Sequence, residues 1–474
     1  MCGRSLDRPI GVALLALALV TAPGQAQQRP EPAQAKTASE ASPPVAASTG
    51  ATPAETDRDH VEPPTSTEQG HIQLPESFDH RPLEELLRES RFVGLRDTTF
   101  SVQFRSFYLH RDEFNNAQEL ATTAGGSAGF KTGYFLERVA FGATGYTSQK
   151  LNAPLDKDGT DLLLTGQRSY EVVGEAYSEV LLIEGLKASL GRRLIETPYI
   201  NSNDSRMTPA TFQGYTLLGA MGSSGGPVVR FGAGYIDREK DRNSNEFVPM
   251  SIVAGAPAKD ARGVYAAGAH LAYGDFSIGA IEYYCPDIIN ITYVETRVSV
   301  PLADRVRLRL GAQYSSQGST GADLLTGHTF SADQLGVKGE LVLGSALFTV
   351  AYTDTSGGAN MQNPWGAYPG YTSVQIENFY RAGESAALFR AAYNFPKPLR
   401  GLSAYALYVQ GGQPASPKQY AQDEYDLNVQ WDADRGMFKG FTLRARYGHV
   451  AQDTSSGNSQ HQDELRLILY YQLR

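Results

Sequence analysis

The sequence predicts an all-β fold, a transmembrane antiparallel β-barrel of about eighteen strands with long loops on one rim. Three observations support it: polar and apolar residues alternate in many segments, the chain begins with a secretory leader, and short and long connections alternate. No segment reaches the roughly 18 consecutive apolar residues of a membrane-spanning helix. The mean hydropathy of -0.33 fits a barrel, because alternation hides its apolar band from hydropathy averages.

Arginine and branched aliphatic residues alternate from Arg305 to Leu310. Similar two-faced segments cover 425–431, 441–447 and 464–467. Because side chains on a strand point to opposite faces with a period of two, each segment has one apolar and one polar face. In a membrane barrel, the apolar face meets lipid and the polar face lines a wet interior.

The alternation predicts nineteen candidate strands, at 96–109, 126–135, 137–148, 168–184, 186–194, 213–221, 227–238, 262–273, 275–284, 289–300, 303–314, 332–343, 346–354, 375–382, 384–394, 400–410, 422–432, 438–449 and 461–472. Single-chain bacterial barrels have even strand numbers, so one segment is not a strand. The weakest is 375–382, which we interpret as a loop.

The connections between these segments alternate in length. Short ones fall at 185, 274, 301–303 and 344–345, with a further short one at 285–288. Long ones fall at 110–125, 149–167, 195–212, 239–261, 315–331, 355–383, 411–421 and 450–460. Short turns at one rim and long loops at the other are typical of transmembrane barrels.

The chain is predicted to have three parts. Residues 1–26 have the features of a signal peptide, with Arg4 and Arg8 near a short apolar core and a small-x-small cleavage site. Residues 27–79 are rich in Pro and Ala and cannot bury a core, which predicts a disordered periplasmic tail. Residues 80–474 would form the barrel domain, and the chain would be exported to the bacterial outer membrane.

Charge, cysteine and histidine content argue against several functions. The formal net charge of -9 argues against a nucleic-acid partner. Cys2 lies in the leader and Cys285 would be alone in the mature chain, so no intramolecular disulfide or cysteine metal cluster can form. The eight histidines show no nucleophile or metal spacing. We therefore predict no enzyme activity, no catalytic residue, no metal and no cofactor.

Several segments resemble the porin D (OprD) family over residues 90–474. The first strand at 98–112 is similar to that family's first-strand pattern. The more specific match is Gly191-Arg192-Arg193 followed by 201–209 and 211–214, which resembles the family's inward-folded third loop. Weaker similarities lie at 395–411, at 438–441 and at 464–468.

The resemblance implies an eighteen-stranded barrel whose pore is narrowed by inward-folded loops and lined on one wall by a ladder of basic residues. It implies facilitated diffusion of small water-soluble solutes, typically carboxylates or amino acids. Expected partners are outer-membrane lipid, these solutes and the barrel assembly machinery, with the chain a monomer or trimer. One departure from other outer-membrane barrels is the end at Leu473-Arg474, since such barrels usually finish on an aromatic residue.

Strand parity predicts which arginines belong to the ladder. Arginine on the lipid face at the midplane costs about 2–4 kcal/mol, so arginines that alternate with apolar residues should face the interior. The arginines placed there by parity are Arg105, Arg305, Arg307, Arg309, Arg444, Arg446 and Arg466. A plainer alternative is that they brace the wall by pairing with the interior carboxylates, such as Glu171, Glu175, Glu179, Asp426 and Glu464.

Two loops are candidates for the constriction. In the third loop, Asp204 and Arg206 could pair with each other, and Arg206 could instead point into the opening. In the segment 355–374, Asn363 and Tyr368 could contact a solute or belong to an interfacial girdle or surface loop. Against the passive channel stand two other functions, an outer-membrane barrel enzyme such as a hydrolase, and an adhesin or scaffold.

Overall fold

The computed structural model describes residues 94–223, 225–416, 419–454 and 457–473. The predicted signal peptide (1–26), the predicted tail (27–79) and residues 80–93 lie outside this part of the chain, so those expectations stay predictions. Within the described part, no helix combines the length and the apolar composition needed to cross a membrane.

Eighteen antiparallel strands close into a ring, because the first strand pairs with both the second and the last. The first nine strands in chain order, one of them outside the ring, are β1 (Thr99–Asp112), β2 (Gln118–Lys131), β3 (Val139–Asn152), β4 (Tyr170–Ile183), β5 (Leu186–Arg193), β6 (Thr211–Gly222), β7 (Val228–Lys240), β8 (Val248–Pro249) and β9 (Val264–Tyr273). The two-residue β8 pairs with β7 beside the ring.

The other ring strands are β10 (Phe276–Cys285), β11 (Ile289–Ala303), β12 (Val306–Ser319), β13 (Ser331–Leu343), β14 (Ala346–Thr355), β15 (Ser385–Asn394), β16 (Leu402–Gly411), β17 (Gln422–Asp432), β18 (Phe441–Asp453) and β19 (Ser459–Leu473). Among the residues that the structure describes, helical structure is limited to α1 (Met250–Val253) and to single 3-10 turns at Leu155–Lys157, Ala258–Asp260 and Gly436–Phe438. The predicted all-β barrel is confirmed.

Each predicted strand except 375–382 overlaps a ring strand, and 375–382 forms no strand, as interpreted. The long loop predicted at 110–125 is wrong, because only residues 113–117 separate β1 from β2. Small residues hide the strand signal there. A Cβ atom at Gly125 would lie 2.1 Å from the carbonyl oxygen of Thr147, so close strand packing requires glycine.

The predicted loop at 450–460 is also wrong, because β18 and β19 leave only 454–458 between them. The residues after His449, which end in the polar pair Gln452 and Asp453, continue the strand pair beyond its apolar outer face. Polarity alone does not end a strand. The alternation of connection lengths still holds: the long connections 153–169, 194–210, 241–263 and 356–384 share one rim, the loop rim, and the opposite rim, the turn rim, has shorter connections.

The outer face of the ring is apolar and the inner face is polar. On β19, Leu465 and Leu467 are exposed on the outside, whereas Glu464 and Arg466 are fully buried inside. Two long connections, 194–210 and 356–384, fold into the barrel, and we call them the constriction loops. Their buried residues pack on inward-facing residues of the wall, so they narrow the interior on the loop-rim side.

Candidate functional site

An aromatic cluster joins the two constriction loops to each other and to the wall. The ring of Tyr199 in loop 194–210 lies edge-on to Tyr283, Tyr293 and Tyr368, with ring centroids 5.9, 6.2 and 5.8 Å apart. Such edge-to-face pairs contribute about 0.5–1.5 kcal/mol each beyond their buried area. The cluster therefore sets the position of both loops across the interior.

Hydrogen bonds hold the loop 356–384 at several places. The indole Nε1 of Trp365 donates to the carbonyl oxygen of Met250 at 2.9 Å. Farther along the loop, the carboxylate of Glu424 on β17 accepts the backbone N–H groups of Ile376 at 2.8 Å and Glu377 at 2.7 Å. These contacts tie the loop to a neighbouring loop and to the wall, which makes it a fixed constriction.

Tyr368 and Asn363 are placed as structural parts of this loop. Tyr368 is 1% exposed, and its hydroxyl donates to Oε1 of Gln334 on β13 at 2.8 Å. The side-chain amide of Asn363 donates to the carbonyl oxygen of Gly366 at 2.6 Å. Tyr368 thus anchors the loop and does not present its ring to a solute, whereas Asn363 is only partly buried.

Arg105 and Asp204 form a bidentate ion pair between β1 and loop 194–210. Nη1 and Nη2 of Arg105 donate to the two carboxylate oxygens of Asp204 at 2.6 and 2.7 Å. Arg105 also lies over the Tyr470 ring, 4.7 Å from its centroid. The predicted pairing of Asp204 with Arg206 is therefore wrong, because both carboxylate oxygens of Asp204 accept hydrogen bonds from Arg105.

Arg206 does not point into the opening, contrary to that prediction. Its side chain is fully buried, Nε donates to the carbonyl oxygen of Thr160 at 2.8 Å, and Nη1 donates to that of Ser205 at 3.2 Å. Carbonyl groups of two loops thus satisfy much of this guanidinium. Arg206 joins the loop 194–210 to the connection 153–169.

Replacing Asp204 with Asn should loosen loop 194–210. The substitution keeps the side-chain size but leaves the buried guanidinium of Arg105 without its carboxylate, a loss of about 2 kcal/mol for hydrogen bonds to charged groups. We expect a lower thermal unfolding midpoint in detergent and noisier open-channel current. The control Asp237→Asn changes an exposed carboxylate on β7. Equal midpoints for the two variants would contradict the bracing role of the ion pair.

Arg466 is also a bracing residue. Its Nε donates to Oε1 of Glu464 at 2.5 Å, and its Nη2 donates to the carbonyl oxygen of Gln375 at 3.2 Å. Glu464 accepts a second arginine, Arg111, at 2.8 Å from Nε to Oε2. All three charged groups are at most 3% exposed. This network fixes loop 356–384 to β19 and β1 and leaves Arg466 no face toward open water.

A second group of arginines clusters at Tyr405 on β16, and two of its three members are less enclosed. The guanidinium of Arg390 on β15 lies 4.0 Å from the centroid of the Tyr405 ring. Nη2 of Arg446 donates to the Tyr405 hydroxyl at 3.1 Å. Arg444 donates from Nε to the side-chain oxygen of Asn428 at 2.6 Å. Arg390 and Arg444 are partly exposed on the inner face, and Arg446 is 5% exposed.

The three arginines at the start of β12 differ in position and in partners. Arg309 is exposed on the inner face, and Arg307 pairs with Asp275 at 2.9 Å. The strand placement of Arg305 is wrong, because β12 begins at Val306 and Arg305 occupies the preceding turn with a φ of 58°. A two-residue turn needs such a backbone conformation. All three arginines border an open cleft of ≈ 620 Å³ at the turn rim.

The interior of the barrel therefore has two kinds of arginine. Arg105, Arg206 and Arg466 are buried against the constriction loops. Within the described part of the chain, Arg309, Arg390 and Arg444 have no carboxylate oxygen within the 4.0 Å of an ion pair, and they lie on β12, β15 and β18 toward the turn rim. We call these three the open arginines. They form a discontinuous basic wall facing the wet interior.

Comparison with known proteins decides the family. A model of outer membrane porins, the OprD family, matches residues 92–474. The chain belongs to the OprD family of outer membrane porins. It is therefore an outer-membrane β-barrel channel for small solutes. The comparison with curated protein sequences gave no match.

Solved porins share the fold of this OprD-family chain. Pseudomonas aeruginosa OccK9 (OpdG) is 23% identical with a TM-score of 0.71, and the match covers 80% of this chain and 99% of that one. P. aeruginosa OpdK, solved with vanillate, is 19% identical with a TM-score of 0.69 and coverages of 80% and 99%. Acinetobacter baumannii OccAB1 is 17% identical with a TM-score of 0.70 and coverages of 81% and 99%.

Sequence reasoning about this porin missed Arg390, although the signal was present. Phe389 and Arg390 alternate in β15, Phe389 is exposed on the outer face, and parity therefore places Arg390 inside. The sequence signal was weaker because alanines flank this pair and carry little facial preference.

Among the described residues, no group of three or more His, Cys, Asp or Glu side chains is arranged to hold a metal ion.

The porin's constriction should respond to pH through Glu196 in loop 194–210. The backbone N–H of Ser202 lies 3.3 and 3.4 Å from the two Glu196 oxygens. The Glu196 side chain is accessible to solvent, but the surrounding protein partly desolvates its carboxyl, which raises the pKa of Glu196 to about 7, and Asp204 adds to the shift. The carboxyl is thus neutral below that pH and negative above it. We expect chloride-over-potassium selectivity to fall as pH rises from about 6 to about 8.

Reversal potentials in a salt gradient, taken at each pH, measure this response. Glu196→Gln removes the titrating group and should flatten the pH dependence while keeping the wild-type value found at low pH. A variant that retains the full wild-type pH dependence would exclude Glu196 as its source.

Proposed function

We propose that this porin passes small water-soluble carboxylates and amino acids by facilitated diffusion along a ladder formed by the open arginines. Loops 194–210 and 356–384 narrow the path, and Arg309, Arg390 and Arg444 line the wall beyond them. The proposal refines the solute-channel function that membership of the family establishes.

The single observation that carries the proposal is the difference between enclosed and open arginines. The enclosed arginines have carboxylate or carbonyl partners, as Arg466 has Glu464. The open arginines lack a carboxylate partner in the described part of the chain. A guanidinium binds a carboxylate in a forked geometry and stays charged at all ordinary pH values.

Spacing along the wall makes such sites suitable for transport. Arg309, Arg390 and Arg444 lie on β12, β15 and β18, so three separate strands present a guanidinium group to a solute on the turn-rim side of the constriction. Conduction requires binding that is favourable enough for entry and weak and multiple enough for release. A charged, narrow interior also concentrates counter-ions by focusing the electric field.

The solved relative OpdK was crystallised with vanillate. Vanillate carries a carboxylate on an aromatic ring, and the Tyr405 ring beside Arg390 and Arg446 offers an aromatic surface next to guanidinium groups. This pairing of chemistry supports aromatic carboxylates as test solutes for the present chain.

Swelling of proteoliposomes in isotonic solute tests the proposal. We expect benzoate to enter faster than the neutral benzamide of nearly equal size, and Arg390→Gln combined with Arg444→Gln to remove the difference. Equal entry of both solutes through the wild-type protein would contradict carboxylate preference.

Several predictions accompany the proposal. The barrel assembly machinery would insert the chain, the signal peptide (1–26) would direct export, and residues 27–79 would remain in the periplasm. The chain would be a monomer or a trimer. Since the family consists of porins, we predict no enzyme activity.

A further inference from the structure

A second basic cluster lies on the inner wall, away from the strands β12, β15 and β18 that carry the open arginines. It is formed by Lys131 at the end of β2, Glu179 on β4, and Lys187 and Arg193 on β5. The ring order places β2–β5 about half a circumference from β15. We call these four residues the β2–β5 cluster, and none of them contributes to the constriction loops.

Three cations of the cluster surround one carboxylate. The Nζ atom of Lys131 lies 3.7 Å from Oε1 of Glu179, that of Lys187 lies 3.4 Å from Oε2, and Nη1 of Arg193 lies 3.6 Å from Oε2. Tyr134 donates its hydroxyl to Oε1. The four charged side chains thus carry a net charge of +2, three positive and one negative.

The cations face water and the carboxylate does not. The side chains of Lys131, Lys187 and Arg193 are 34%, 22% and 22% exposed, whereas that of Glu179 is 1% exposed. A mainly structural ion pair would enclose both partners, as Glu464 and Arg466 are enclosed. Here the negative charge is sequestered behind a positive surface.

Neighbouring residues keep the cluster in place. Nη1 of Arg193 donates to the Ser189 hydroxyl at 2.6 Å, and its guanidinium lies 5.1 Å from the centroid of the Tyr177 ring. A Cβ atom at Gly142 would lie 2.5 Å from that ring, so glycine on β3 allows Tyr177 to lie flat against the wall. The site is therefore preorganised on strands and does not depend on a loop.

We propose that the β2–β5 cluster is a binding station for small organic anions with two negative charges, such as aromatic dicarboxylates. The net charge of +2 matches a dianion, and the cations approach Glu179 from the sides of both its oxygens, so two separated carboxylates can each meet a cation. A monocarboxylate gains from only one such contact. The inference rests on the proposed channel function and adds a second site, selective by charge number.

Block of single-channel current tests this site with phthalate as the dianion and benzoate as the monoanion, added on the turn-rim side of a planar bilayer. In the full chain carrying Lys131→Gln and Lys187→Gln, we expect phthalate block to weaken about tenfold and benzoate block to weaken much less. The control Lys397→Gln with Lys439→Gln removes two exposed turn lysines and should leave phthalate block unchanged.

Glu179→Gln supplies a result of opposite sign, because it raises the cluster charge and should strengthen phthalate block. If the double variant does not fold, Lys131→Gln alone, at the most exposed cation, should weaken phthalate block in part. A conducting wild type whose phthalate block is insensitive to these substitutions overturns this inference alone. A wild type that shows no channel conductance overturns the proposed function instead.

Discussion

In a triple variant carrying Arg309→Gln, Arg390→Gln and Arg444→Gln, we expect the chloride-to-potassium permeability ratio to fall about tenfold. These guanidinium groups face the interior without a carboxylate within ion-pair distance in the described part of the chain. Their positive charge therefore attracts passing anions and repels passing cations. Reversal potentials in a salt gradient give the ratio directly, and the effect should shrink at high salt because exposed charges are screened.

The matched control removes three arginines elsewhere on the molecule. Arg138 and Arg435 lie exposed in turns and Arg168 lies exposed in a long connection, so their replacement by Gln gives the same change in net charge. We expect little change in selectivity from this control. Equal shifts in the two triple variants would show that overall charge, and not the arginine wall, sets selectivity.

Glu464→Gln should produce the largest loss of stability. The carboxylate is fully buried and accepts hydrogen bonds from Arg111, Arg466 and the side-chain amide of Gln375, the last at 3.1 Å. The neutral amide leaves two buried guanidinium groups close together without their shared counter-charge. Breaking a buried ion pair by removing one partner costs about 3–5 kcal/mol.

Thermal unfolding in detergent measures this loss, with Glu171→Gln as the control because Glu171 is an exposed carboxylate on β4. We expect a markedly lower midpoint for Glu464→Gln and a near wild-type midpoint for Glu171→Gln. Because Gln375 belongs to loop 356–384, the Glu464 variant should also conduct with larger and noisier steps. An unchanged midpoint would show that the network is dispensable.

The barrel could be predicted because its physics is local. Alternation in segments such as 464–467 reports directly which side chains meet lipid and which face inward, and each strand repeats the signal independently. Prediction failed at β2, where Ala and Gly carry no facial preference, and at the loop-rim ends of β18 and β19, where polar residues continue the pairing.

The site was harder to predict, because parity gives direction but not partners. Arg105 and Arg309 both face inward, yet Arg105 is buried against Asp204 while Arg309 is exposed. The difference depends on where loop 194–210 lies inside the barrel, and that position is set by contacts between residues about a hundred positions apart. Spacing in the sequence carries no trace of such contacts.

Single-channel recording of the wild-type protein in a planar bilayer under a salt gradient tests the central claim most directly. A water-filled barrel, narrowed by loops and lined by the open arginines, predicts discrete ohmic steps. It also predicts a reversal potential shifted from zero toward the equilibrium potential of chloride. Absence of steps, or a reversal potential that shows preference for potassium, would contradict it.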